Sequence, residues 1–356
     1  MDYMPFIKGT YRNNAFNFSE FEESEDHEKG FKTYYDAEIK PLVNRFEEER
    51  LAILDEVAKR VRTVLALVAL AFPAGWWIFG GVEGFLSGIF AIIAVLQFNN
   101  DVRKWVFQPS RTYQDKIKDE VFSGILKFYG GFQFNASCPT SIEKWSHTGM
   151  IPQYKVEVSE DHIQGEYQDV ALELFQCSLI TPKTDKDGKR YYITEFSGLV
   201  ITLKFEKNFQ GKTILANDKG KVFNFVQGMA KNEERVELES PEFEELYEVY
   251  STDQIGARKI LTPAFMEKLT KLTRDVRDDL PPLIETLSKL SKKLPGRPPL
   301  CHFEGNEMFV MLPYLGDAFE PMGLDKPKDF VQDSKKLLRE IKDICDIIDV
   351  LKSSSD

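Results

Sequence analysis

The residues best placed by type and spacing to do chemistry lie between Tyr247 and Arg258. Tyr247, Tyr250, Asp253, Gln254 and Arg258 bring two phenols, a carboxylate, an amide and a guanidinium into one short stretch. Asp253 stands where a helix begins, so its carboxylate can cap the first turn. Arg258 can pair with Asp253 or with Glu248. The chemistry open to such a set is recognition, through a small polar pocket or a patch facing a partner. A cap plus an ion pair locking helix to sheet is the plainer reading. No nucleophile with an adjacent base is near in sequence, so no catalytic residue is assigned.

Other motifs dissolve on inspection. Gly211-Lys212-Thr213 imitates the end of a phosphate-binding loop, but the earlier glycine such a loop requires would fall at Glu206, and Asn208-Phe209-Gln210 offers no glycine cradle. A turn between strands is expected there. Asp185-Lys186-Asp187-Gly188 resembles the start of a calcium loop but lacks the later ligands and the closing glutamate. It reads as a hairpin turn, with Asp-Gly suited to positive φ. His27, His147, His162 and His302 are isolated, with no paired metal-ligand spacing. His162, beside Glu160 and Asp161, reads as a surface histidine. Cys301 and His302 are adjacent, and neighbours on a strand point to opposite faces, which separates thiol from imidazole. Cys138, Cys177, Cys301 and Cys345 show no C-x-x-C pair and read as reduced, buried residues. No metal and no cofactor is expected.

The elements that position these residues follow from patterning. With 57 acidic and 46 basic residues the formal charge is −11, which argues against broad nucleic-acid binding. Residues 1–30 carry Glu20, Glu22, Glu23, Glu25, Asp26 and Glu28 and read as an acidic arm. From 31 to 62 apolar residues recur at three- and four-residue spacing, which predicts an amphipathic helix with Pro41 disturbing its first turns. Residues 63–98 hold two apolar runs about a glycine-rich centre, with Glu83 their one charge. They predict a two-helix transmembrane hairpin, spanning or re-entrant. Each run is about 15–17 residues, short of the roughly 20 that a span of about 30 Å needs. Basic residues at both outer ends predict cytoplasmic termini and an inner-membrane, multi-pass location. The start of the chain has no basic region followed by an apolar run, so no cleaved signal peptide is expected.

Residues 99–149 predict a second stalk helix and linker, the stalk pairing with itself or with a second copy. Period-two alternation then appears near 154–158, 171–175, 191–196, 199–205 and 213–215. Helices are expected over 240–260 and from Pro263, two strands near 301–303 and 308–312, and an amphipathic helix over 330–352. Residues 150–352 thus predict an α+β domain with an antiparallel sheet and packed helices.

The blocks FSGLVITLKFEKNFQGKTILAND and VELESPEFEELYEVYSTDQIGARKILTPAFMEKLTKL resemble the signature of an uncharacterised bacterial membrane-protein family, a domain of unknown function. The resemblance spans about 100–330. It implies a helical N-terminal segment, two spans and a cytoplasmic α+β domain, and it supplies no activity. The expected role is a membrane-anchored protein presenting a cytoplasmic interaction or regulatory domain, with the bilayer and a protein partner or second copy as its contacts. A lipid- or small-ligand-sensing module is the alternative. A filled sheet interior would favour the first, and a deep polar pocket an enzyme.

Overall fold

Antiparallel pairing organises the larger part of the chain. A computed structural model describes residues 19–79, 100–186, 188–217, 233–278, 298–313 and 328–353. The chain divides into two units, one of Met1–Ile125 with Glu320–Ser334 and one of Leu126–Phe319 with Lys335–Asp356.

In the first unit, a helical turn Phe31–Tyr34 and a π-helical turn Tyr35–Ile39 lead into helix α1, Lys40–Phe79. The π turn falls just before Pro41, whose missing N–H and bulky ring a regular i→i−4 ladder cannot accommodate. The helix is re-registered there instead of broken. Helix α2, Asn100–Leu126, runs antiparallel to it. Tyr113 donates to the Phe46 carbonyl at 2.9 Å, Lys116 pairs with Glu49 at 2.9 Å, Arg45 pairs with Glu120, and Arg60 donates to the Trp105 carbonyl. The stripe Ile39, Val43, Phe46, Val57 and Val61 is buried, as are Val106, Tyr113, Ile117, Val121 and Ile125. Phe21, inside the acidic segment, is also buried and packs on Phe31 and Tyr35. Residues 1–18 of the acidic arm lie outside the described residues.

The transmembrane hairpin and the multi-pass inner-membrane location are corrected here. Among the described residues no helix is long and apolar enough to cross a membrane. The first apolar run, 63–79, is the end of a single helix that starts in charged amphipathic sequence. At about 1.5 Å per residue the run alone falls short of a hydrocarbon core of about 30 Å. The glycine-rich turn and the second run lie outside the described residues.

The second unit is α+β. Its nine described strands are β1 Gln133–Ser137, β2 Val156–Tyr167, β3 Val170–Thr184, β4 Arg190–Lys204, β5 Thr213–Asn217, β6 Glu234–Val236, β7 Tyr247–Ser251, β8 Leu300–Glu304 and β9 Glu307–Pro313. They form one antiparallel sheet in the order β1-β2-β3-β4-β9-β8-β5-β7-β6. Gln168 and Asp169, with φ of 49° and 62°, make the two-residue turn between β2 and β3, matching the twist of the strands they join. Between β3 and β4, Asp185 and Lys189 close the turn, and Gly188 takes φ of 80°. The helices are α3 Pro241–Glu244, α4 Gln254–Ile260, α5 Pro263–Asp278 and α6 Val331–Ser353. Helix α6 is tied to α5 by Lys268–Asp346 at 2.7 Å and Lys271–Asp343 at 2.9 Å.

Residues 240–260 depart from the helical expectation. Ser240 caps only a four-residue helix, and a buried strand, β7, follows. Phe243 and Tyr247 are four apart as on a helix, and their rings do stack at 4.6 Å. The stacking joins a helix to a strand, so spacing alone misreads it.

Candidate functional site

The five residues singled out in sequence all lie in the second unit, and each is engaged in holding the fold. Tyr247 is buried, its hydroxyl 2.9 Å from that of Thr273 on α5. Tyr250 donates to Glu248 at 2.8 Å. Asp253 caps α4, accepting from the Ile255 N–H at 3.0 Å. Gln254 donates to the Arg235 carbonyl on β6 at 3.1 Å. The expected ion pair is corrected: Arg258 donates to the carbonyls of Gln254 and Glu237. A guanidinium is a fork of donors, and here carbonyls of the same helix and of the segment after β6 take them. Tyr247, Gln254 and Arg258 thereby clip β7 and α4 to neighbouring elements, while Tyr250 and Asp253 bond within their own.

Gly211 and Gly256 make this packing possible. A Cβ on Gly256 would stand 2.7 Å from the Gln210 carbonyl oxygen, and one on Gly211, at φ of +67°, 2.7 Å from the Thr252 hydroxyl. Gly211-Lys212-Thr213 is accordingly a tight entry to β5.

The most concentrated polar chemistry lies elsewhere, where the 3-10 segment Ile142–Thr148 crosses the sheet. Ser141 caps it, accepting from the Glu143 N–H. Trp145 is fully buried, stacked on Phe175 at 5.9 Å and on Phe309 at 5.2 Å, and its Nε1 donates to Glu307 at 2.9 Å. Met150, Cys177, Leu179, Val200 and Met311 complete this core. Two carboxylates fasten the segment's rim. Glu157 accepts from the Ile142 N–H, Ser141 and Ser159. Burial alone would raise its pKa, but these donors hold it below the usual range. Glu173 accepts from His162 Nε2 at 3.0 Å, Thr140 at 2.6 Å and Lys144 at 3.1 Å. The His162 hydrogen bond, outweighing burial, brings it down to about 2 with help from Thr140 and Lys144.

The surface assignment of His162 is thereby corrected: the ring is buried beside a β-bulge in which Asp161 takes φ of 54°. Sequence reasoning missed this pair because His162 and Glu173 meet across a strand pair whose register shifts at the bulge. The one available signal was the run Glu160-Asp161-His162, too polar for a plain strand. Among the described residues no hydroxyl or thiol donates to His162, and its Nε2 is engaged by Glu173.

His302 is a further buried titratable group. It is 2% exposed, and among the described residues Nε2 has no hydrogen-bond partner. The His147 ring lies edge-on at 6.4 Å, and Glu304 is 3.6 Å from Nε2. Burial, then the charge of Lys212 and of His147, pushes the His302 pKa down to about 4. Burial also pushes the Cys177 thiol up to about 12. No disulfide joins the four cysteines. Among the described residues no group of three or more His, Cys, Asp or Glu side chains is arranged to hold a metal ion.

Comparison with known proteins bears on the second unit. Residues 194–353 match the family described as protein of unknown function (DUF3137). The DUF3137 match begins in β4 and runs to the end of α6, so it includes Tyr247 to Arg258 and His302 but not Trp145, His162 or Glu173. No curated protein matches the chain. The crystal structure of the mycobacterial trehalose monomycolate transport factor A, TtfA, is similar over 67% of this chain and 96% of that chain, at 12% identity and a TM-score of 0.33. A likeness of that size carries no argument about this protein.

Proposed function

We propose that this chain is an interaction protein whose sheet-bearing unit docks a partner. The observation that carries the reading is the contrast between two regions of β2, β3 and β4. One is filled by Trp145 and its neighbours, and its carboxylates are saturated by internal donors. In the other, where the strands end, large apolar side chains stand in the open. Seven large apolar residues are exposed among those described, and four of them lie on β2 and β4, Val156, Val158 and Tyr192 on one face and Tyr191 on the other. That concentration distinguishes an interaction surface from singly scattered exposure.

One observation favours a second reading, a module that senses a small ligand. The unpartnered His302 Nε2 beside His147 is a polar atom whose satisfaction a ligand would supply.

The test is in-cell cross-linking of the tagged full chain followed by affinity capture and native mass spectrometry. The interaction reading expects a reproducible protein whose cross-links map to residues 150–217. Recovery of a bound small molecule with no cross-linked protein would overturn it in favour of sensing.

A further inference from the structure

One face of β2, β3 and β4 carries an open apolar strip. Register places Val156 opposite Ile180, Ile180 opposite Thr194, and Pro182 opposite Tyr192. Side chains alternate along a strand, so Val156, Val158, Ile180, Pro182 and Tyr192 share that face. Val156, Val158 and Tyr192 are 44%, 46% and 70% exposed.

Two charges share the strip's face, one at each end. Glu160 stands opposite Gln176, and Arg190 stands opposite Thr184. Between those levels β3 contributes Ser178, Ile180 and Pro182, none of them charged. Neither the Glu160 nor the Arg190 side chain has a hydrogen-bond or ion-pair partner among the described residues. The other charges of the region are placed differently. Lys155, Glu157 and Lys183 alternate to the opposite face. Asp185, Lys186 and Lys189 lie in the turn, and Glu195 is the extra residue where the register between β3 and β4 shifts. Asp187 lies outside the described residues. Gln176 and Thr184 stand about 26 Å apart along β3 at about 3.3 Å per residue, and Ile180 is the midpoint.

From this pattern we infer that the strip packs face to face on the same strip of a second copy of this chain. A twofold axis lying across the strands at Ile180 reverses their direction. Glu160 of one copy and Arg190 of the other then come to the same end of the interface, and the symmetry makes this happen twice. The apolar middle meets itself, as a contact between identical patches requires. The stacked strands stay near alignment, about 10 Å apart, the ordinary packing of one sheet on another. The charge pattern is what selects a second copy. An acid and a base at opposite ends of a strip complement the same strip reversed, and a strip with one of each does not favour a polyanion or a polycation. Three strands about 4.8 Å apart and about 26 Å long give roughly 350 Å² of sheet face per copy, under half of the about 800 Å² per partner in a standard interface. The dimer is therefore weak and reversible. The inference rests on the interaction reading above and names the partner and the contact.

The test is sedimentation velocity of the full chain from about 1 to about 300 μM, the range in which a small interface associates. The expected result is a reversible monomer–dimer equilibrium. Glu160→Arg and Arg190→Glu should each raise the dissociation constant about tenfold, because each sets like charges against one another at both ends of the dimer. The double variant Glu160→Arg/Arg190→Glu should return it to near the wild-type value. Tyr192→Lys, at a position 70% exposed, should abolish the dimer with an unchanged unfolding midpoint. A monomer throughout the range overturns the inference. So does a dimer that the single variants leave intact, or one that the double variant does not restore. If the chain stays monomeric while capture from cells returns a different protein cross-linked through residues 150–217, the inference falls and the interaction reading stands. A monomer with no captured protein overturns both.

Discussion

The indole of Trp145 lies on the ring of Phe309 at 5.2 Å and 20°, so a residue from a short 3-10 segment plugs a sheet whose strands are far away in sequence. The plug belongs to one buried cluster with Phe175, Cys177, Leu179, Val200 and Met311. Trp145→Ala should cost about 3–5 kcal/mol of unfolding free energy, the range for removing a fully buried large aromatic. Trp145→Phe should cost less, by keeping the stacking and losing the donor to Glu307. Denaturant unfolding of both variants measures this. A cost under about 1 kcal/mol for the alanine variant would mean that the segment is not part of the core.

His302 sets a second expectation. Its imidazole stays neutral in the fold down to about pH 4, against an ordinary value of 6.5. Above 6.5 the group is neutral in both states and its stabilising contribution is complete. As pH falls below 6.5 the unfolded chain takes up a proton that the folded chain refuses, and stability declines until about pH 4. The loss reaches roughly 2 kcal/mol at pH 5. His302→Leu should flatten this part of the profile. Equal slopes for wild type and variant between pH 7 and 5 would contradict it.

Glu173 acts lower on the scale. Its pKa is depressed from 4.5 to about 2, so its contribution is present above pH 4.5 and is lost as pH falls toward 2. Glu173→Gln should reduce stability at pH 7 and narrow the difference from wild type below pH 3. Acid unfolding followed by near-ultraviolet circular dichroism, which reports Trp145 packing, checks this. A constant difference across that range would remove the His162–Glu173 pair from the account.

Gly256 tests whether α4 is fixed by close backbone approach. In an ordinary helix Gly→Ala is stabilising by about 1 kcal/mol. Here the new methyl would stand 2.7 Å from the Gln210 carbonyl, so Gly256→Ala should destabilise, by about 1–3 kcal/mol. Asp253→Ala, which removes only the cap, should cost about 1 kcal/mol. Thermal unfolding of the pair decides it. A Gly256→Ala variant more stable than wild type would show that the contact yields.

Much of the sheet was legible because its strands alternate. The strands over 154–158, 191–196 and 199–205 show the period directly, and Asp187-Gly188 marks the turn between β3 and β4. Strand β1 was not legible, since Gln133-Phe134-Asn135-Ala136-Ser137 carries one large apolar residue. Strand β7 was hidden by helical spacing of Phe243, Tyr247 and Tyr250. The membrane hairpin failed on length, because hydropathy over 63–79 says what a segment tolerates and not where its helix begins. The polar group at Tyr247 to Arg258 was found as a cluster, but its partners, Thr273, Arg235 and Glu237, are set by tertiary packing. That Val156–Ser159 lies beyond the pairing with β1 depends on where β1 stops, which no local pattern encodes.

The central claim is that the sheet-bearing unit docks a partner, and a photo-cross-linking residue placed at Val158 in the full chain tests it most directly. The control is the same residue at Ile255, which is 69% exposed and lies on α4. Irradiation in cells should give a discrete higher-mass adduct at position 158 and none at 255. No adduct at 158, or an equal one at 255, would contradict the account.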